Sequence, residues 1–222
     1  GARVVLGDII PPDETVALLR AIPGAQEPLV LDFDVTNEQA TKAAFDKIKE
    51  ECGRLDILIN NAGIYEEEPF ELMTYEAWKR VMDVNVNGLF VATRAAVPLM
   101  RLNRFGRVIN ISSDTVFLGT PYLAHYVTSK MAAIGFTRAI ATELGKYGIT
   151  VNAITIGQTA TLRAPGSTPA KGNILEHVLG ERAIERAETP EEIAGIVSFL
   201  ASDRAGIITG QTINADAGVA RH

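Results

Sequence analysis

The chain has 222 residues, 47% of them hydrophobic and 6% aromatic, and a formal net charge of −6. That length suits one sizeable core, and the charge, with no basic stripe, argues against a nucleic-acid partner. Cys52 is the only cysteine, no stretch of 18 unbroken apolar residues occurs and no signal pattern opens the chain, so a cytoplasmic protein with no membrane partner is expected.

Apolar strands alternate with amphipathic helices. Residues 3–7 predict a strand ending at Asp8, and Pro11 and Pro12 open a helix to about residue 22. A strand follows at 29–33. Thr36 with Gln39 reads as a capping box for a helix to about residue 51. Strand 55–59 leads into Asn60-Asn61-Ala62-Gly63, and one long helical region spans 75–102. Strand 106–112 precedes a helix carrying Tyr126 and Lys130 to about residue 146. Strand 149–155, a helix opened by Thr189-Pro190-Glu191-Glu192, and a last strand at 211–214 complete the order. The fold class expected is α/β, a Rossmann-type doubly wound parallel sheet in a single domain over residues 1–222. Residues 157–173 are rich in Gly, Pro, Thr and Ser, and a lid over the site is the preferred reading.

Tyr126 and Lys130 stand four apart, which places both on one face of a helix. A phenol alone titrates near ~10 and is a poor acid or base at neutral pH. An ammonium beside it is expected to favour the phenolate. A hydroxyl on a nearby strand end, Ser113, would hold and polarise a substrate oxygen. In an open parallel sheet ligands bind beyond the carboxyl ends of the strands, where Asp8, Asp34, Asn60, Ser113 and Gly157 fall. Asp8 is placed to accept from a ribose diol and to repel a 2′-phosphate, which favours NAD over NADP. The histidines His125, His177 and His222 lack metal-ligand partners, so no metal site is expected.

These segments resemble the short-chain dehydrogenase/reductase family in its compact single-domain branch. The resemblance is carried by Asn60 to Gly63, Asp83-Val84-Asn85-Val86-Asn87-Gly88, Ile111-Ser112-Ser113, Tyr126 with Ser129 and Lys130, Val151-Asn152-Ala153 and Ile208-Thr209-Gly210-Gln211. They cover nearly the whole chain in family order, and the nearest subgroup looks like bacterial NAD-dependent secondary or aryl alcohol dehydrogenases. The resemblance implies that Tyr126 is the general acid/base, that Lys130 lowers its pKa and holds the nicotinamide ribose, that Ser113 orients the substrate oxygen in preference to Ser112, and that Asn85 supports a water relay to Lys130. It places Asp34 and Val35 at the adenine, Asn61, Ala62 and Gly63 at the cofactor backbone, and Gly157, Thr159 and Thr161 near the nicotinamide. It also implies a homotetramer through the long helices, with Phe90, Val97, Ile134, Phe136 and Ile140 among the apolar residues.

The chain departs from the family in three places. It begins one strand later than the family's opening strand and Gly-rich turn, so about 25–35 further residues are expected upstream. Ile156 stands where the family has Pro, and Ala217 replaces a common Gly, read as a minor repacking. Glu66, Glu67 and Glu68 read as solvated surface. Val116, Phe117, Leu118 and Tyr122 read equally as a pocket wall or as core. The function expected is NAD-dependent interconversion of a small alcohol and its carbonyl compound. The alternatives are an NADPH-dependent oxoacyl-thioester reductase and a catalytically silent scaffold on the same fold.

Overall fold

The computed structural model describes residues 1–159 and 182–221. Fourteen elements matter here. They are β1 (Val5–Asp8), α1 (Asp13–Arg20), β2 (Leu29–Asp32), α2 (Glu38–Cys52), β3 (Ile57–Asn60), α3 (Tyr75–Met82), a π-helical turn (Asp83–Gly88), α4 (Leu89–Asn103), β4 (Gly106–Ser113), α5 (Thr115–Leu118), α6 (Ala124–Leu144), β5 (Ile149–Ile156), α7 (Pro190–Ala201) and β6 (Thr212–Ala215).

The Val- and Ile-rich runs that predict strands form a parallel α/β architecture. β4 and β5 are the centre, eight residues each, paired in parallel from Gly106 opposite Ile149 to Ser113 opposite Ile156. β3 pairs with β4 on one side and β6 with β5 on the other. β1 pairs with β2 from Val5 opposite Leu29 to Asp8 opposite Asp32. The parallel sheet flanked by helices is therefore as expected, but the described strands fall into two blocks, β1-β2 and β3-β4-β5-β6. The outer strands are less covered than the centre, with Val30 41% and Ile59 45% exposed.

Alternation along β4 and β5 builds two cores. Val108 and Val151 join Phe45, Ile48, Leu99 and Met100 of α2 and α4. Ile109, Ile111 and Ile154 point the other way, onto Leu200 of α7. Each such buried side chain contributes about 1.5–3 kcal/mol relative to exposure, which is what locks the strand register.

Several local expectations shift. The cap of α2 is Asn37, which accepts from Ala40 N at 3.0 Å, because Asp34 Oδ1 already takes the Thr36 amide at 2.8 Å. At α7 the capping box is present, with Thr189 N donating to Glu192 Oε2 at 2.9 Å. The long helical region expected over 75–102 is present, and within it lies the π-helical turn that carries the buried Asn85. α5, between Ser113 and Tyr126, was not expected from the sequence. No helix among the described residues is long and apolar enough to cross a membrane.

Candidate active site

The carboxyl ends of β3, β4 and β5 lie on one side of their parallel sheet, and β1 ends in the other block. Ser113 ends β4, Asp8 ends β1, Asn60 ends β3, and Gly157 follows β5. Strand alternation separates the two serines. Ser112 turns back and donates to Lys130 O at 2.8 Å, which fixes α6 to β4. Ser113 instead hydrogen-bonds with Thr115 and Asp114. Asn60 does not reach out as a ligand. Its Nδ2 donates to Thr93 Oγ1 at 2.9 Å and Asn110 Oδ1 at 2.8 Å, so it fastens β3 to β4 and α4.

Tyr126 and Lys130 lie one turn apart on α6, with the Lys130 ammonium 5.6 Å from the Tyr126 ring centroid. Lys130 is buried and donates to Ile111 O at 2.9 Å. Burial pulls its pKa down to about 8. The Tyr126 phenol is pushed above its ordinary value, chiefly by burial and further by the Asp114 charge, while a hydrogen bond with Ser113 works the other way. This corrects the expectation of a phenol lowered by its lysine. Desolvation outweighs an ammonium that is occupied by a backbone carbonyl. The ring of Tyr65 meets that of Tyr126 edge-on, centroids 5.1 Å apart, and fixes its orientation.

Asn85 is built into the π-helical turn. Its Oδ1 accepts from Ile64 N at 2.8 Å, and its Nδ2 donates to Ile64 O and to Ser129 Oγ, both at 3.0 Å. Ser129 donates to Tyr126 O at 2.7 Å, so Asn85 is coupled to the turn that carries the phenol. Gly63 passes directly over this pair. A Cβ there would stand 3.2 Å from Asn85 Oδ1 and 3.4 Å from Lys130 Nζ. Asn61, Ala62 and Gly63 are exposed, with Gly63 beside Lys130. Val35 packs on Gly88, where a Cβ would come within 2.7 Å of Val35 Cγ2, so the end of the π-helical turn sets the Asp34–Val35 corner. Asp34 and Asp8 are exposed, and Asp8 Oδ1 also accepts from Ile10 N at 3.0 Å.

Gly157 sits in a pocket of charge. A Cβ on it would be 2.7 Å from Glu188 Oε1, 3.1 Å from Arg182 Nη2 and 3.1 Å from Asp114 Oδ2. Thr159 donates to Gly157 O at 3.3 Å and bridges to Glu188. Thr161, most of the expected lid, His177 and His222 lie outside the described residues. The Asp114, Arg182, Glu188 and Asp216 cluster was missed from sequence. The only signal was an acidic residue directly after Ser113. Tyr65 was missed too, since an aromatic near a loop announces no partner. Glu66 pairs with Arg80, in keeping with a surface role. Phe117, Leu118 and Tyr122 are 37%, 42% and 55% exposed, so they form an open apolar lip rather than core.

The family described as enoyl-(acyl carrier protein) reductase matches residues 1–220. The chain is 36% identical over 221 residues to 3-oxoacyl-(acyl-carrier-protein) reductase FabG of Thermotoga maritima, covering 99% of this chain and 88% of that one. It is 41% identical over 196 residues to acetoacetyl-CoA reductase of Shinella zoogloeoides, covering 85% and 78% of the two chains. It is 37% identical over 212 residues to 3-oxoacyl-(acyl-carrier-protein) reductase of a Synechocystis strain, covering 93% and 81%. The chain belongs to the short-chain dehydrogenase/reductase family, whose members are oxidoreductases that bind a nicotinamide cofactor. The rim fits such a group, because Gly63 leaves space over Asn85 and Lys130 that any side chain would fill.

Proposed function

We propose that the chain reduces the 3-oxo group of an acyl thioester to the hydroxyl, with Tyr126 as the acid. The observation that carries this is the state of Tyr126. A partly buried phenol whose pKa is raised, beside Ser113, is suited to giving a proton to a carbonyl oxygen. The names of the relatives, at 36% and 41% identity, support the thioester over a simple alcohol.

When bound, a reduced nicotinamide supplies the hydride to the carbonyl carbon. Ser113 donates a hydrogen bond to the substrate oxygen, and Tyr126 gives that oxygen its proton as negative charge develops there. Lys130, reached past Gly63, holds the ribose hydroxyls and relays a proton from solvent back to Tyr126. Asn85 keeps the turn under Tyr126 in place. Asp8, Asp34 and Val35 line the adenosine side, with Asn61, Ala62, Gly157 and Thr159 along the cofactor's length.

A second reading, NAD-linked oxidation of a small alcohol, is favoured by Asp8, whose exposed carboxylate suits a free 2′-hydroxyl. The two are separated by assaying NADH and NADPH oxidation with acetoacetyl-CoA against NAD reduction with a panel of secondary alcohols. The thioester reading expects a kcat/KM for acetoacetyl-CoA at least about tenfold above any alcohol or simple ketone, which corresponds to about 1.4 kcal/mol of extra transition-state binding. Faster turnover of the alcohols selects the second reading. We also propose a homotetramer built on α4 and α6, on which Phe90, Met131 and Leu102 are 44%, 44% and 69% exposed.

A further inference from the structure

Asp114 follows Ser113 directly and carries a charge for which the reaction above has no use. As the residue capping α5 it could turn its carboxylate onto the first amides of that helix. It makes no such bond. Its side chain is buried and accepts the Ser113 hydroxyl at 3.3 Å. Ser113 Oγ in turn accepts from the Thr115 hydroxyl at 2.9 Å and the Thr115 amide at 3.3 Å. A serine hydroxyl has two lone pairs and one proton. Thr115 occupies the lone pairs, so Ser113 meets Tyr126 and a substrate oxygen with the same proton that Asp114 accepts.

We propose that Asp114 is a positioning residue that competes with the substrate carbonyl for the single proton of Ser113, so that its charge sets how strongly Ser113 polarises the substrate. The inference rests on Ser113 and Tyr126 acting together on a carbonyl. The groups that face Asp114 are Asp216 on the turn after β6, Glu188 and Arg182 on the approach to α7, and Tyr126 on α6. Glu188 and Arg182 meet Asp114 around the bare backbone of Gly157. Burial and the Asp216 carboxylate raise the Asp114 pKa to about 6; Ser113 opposes them, Glu188 adds to them, and Arg182 opposes them. Ionised, Asp114 holds the Ser113 proton and also lifts the Tyr126 pKa. Neutral, it is a weaker acceptor and releases that proton to the substrate.

The test is the pH profile of acetoacetyl-CoA reduction with NADH by the full chain, from about pH 5 to pH 9. In the wild type, kcat/KM should fall about threefold as pH rises through about 6, the scale of one net hydrogen bond, before the later fall set by Tyr126. Asp114→Asn should lack the step near pH 6, and its alkaline fall should begin at lower pH. Ser113→Ala, though slower, should also lack that step, because Asp114 acts on the carbonyl through Ser113. A step near pH 6 that persists in either variant overturns the proposal, as does a wild-type profile with no step there. Tyr126→Phe is the control: undiminished turnover would remove the catalytic reading itself and this inference with it.

Discussion

Asn85 and Ser129, 44 residues apart in sequence, are joined by a 3.0 Å hydrogen bond from Nδ2 to Oγ. Through Ser129 the bond reaches the carbonyl of Tyr126, so a side chain in a π-helical turn holds the first turns of α6. Removing it leaves Ile64 N, Ile64 O and Ser129 without that partner in a largely buried place. Asn85→Ala should destabilise the chain by about 1–3 kcal/mol and lower turnover more than cofactor binding. Urea denaturation and steady-state kinetics check both. Wild-type stability in the variant would mean that the bonds count for nothing.

Ala217 has φ 57°, in the left-handed region, and Gly218 beside it has φ 82°. An alanine there is strained by about 1–2 kcal/mol, and glycine gives back about 0.4–1 kcal/mol through the freedom it adds to the unfolded chain. Ala217→Gly should therefore stabilise by about 0.5–1 kcal/mol, read from the denaturation midpoint. The position is a site of backbone strain, not the simple repacking that composition suggests.

The buried carboxylate of Asp114 makes stability depend on pH. Its folded pKa, about 6, lies above the ordinary value of 3.8. Its contribution is thus fully present below the ordinary value and is lost as pH rises through about 6. Relative to Asp114→Asn, the wild type should lose stability across that window, by about 3 kcal/mol in total, from the two values at 1.36 kcal/mol per pH decade. Chemical denaturation of both proteins at about pH 4 and about pH 7 measures the difference. A gap that does not change with pH would show that the carboxylate is not buried as described.

Asp8 should set the dinucleotide preference. Its carboxylate can accept from a 2′-hydroxyl and repels a 2′-phosphate. Asp8→Ala should narrow the preference for NADH over NADPH by about tenfold or more in kcat/KM, mainly by admitting NADPH. A wild type that uses both equally would refute the role.

Much of this was readable in the residues. The apolar runs of β4 and β5 and the Thr189-Pro190 start of α7 are local signals, and they hold. The spacing of Ser113, Tyr126 and Lys130 also reads directly, since a strand end and one helix turn fix it. Less was readable where two segments compete. Asp34 captures the Thr36 amide and moves the cap of α2 to Asn37. The Asn85 side chain draws out a π-helical turn that helical periodicity cannot show. The Tyr126 pKa could not be read from its neighbour at four residues, because its sign is decided by burial. Asp114 and the Arg182–Glu188 pair come from distant segments and meet in the space left by Gly157.

The central claim is that Tyr126 delivers the proton. Tyr126→Phe keeps the ring and its edge contact with Tyr65 and removes only the hydroxyl. The decisive measurement is NADH or NADPH oxidation with acetoacetyl-CoA by wild type and Tyr126→Phe, with cofactor binding followed by fluorescence titration. The account predicts at least a ~100-fold loss of turnover, the scale of general-acid catalysis, with cofactor affinity nearly unchanged. Turnover in Tyr126→Phe equal to that of the wild type would contradict it.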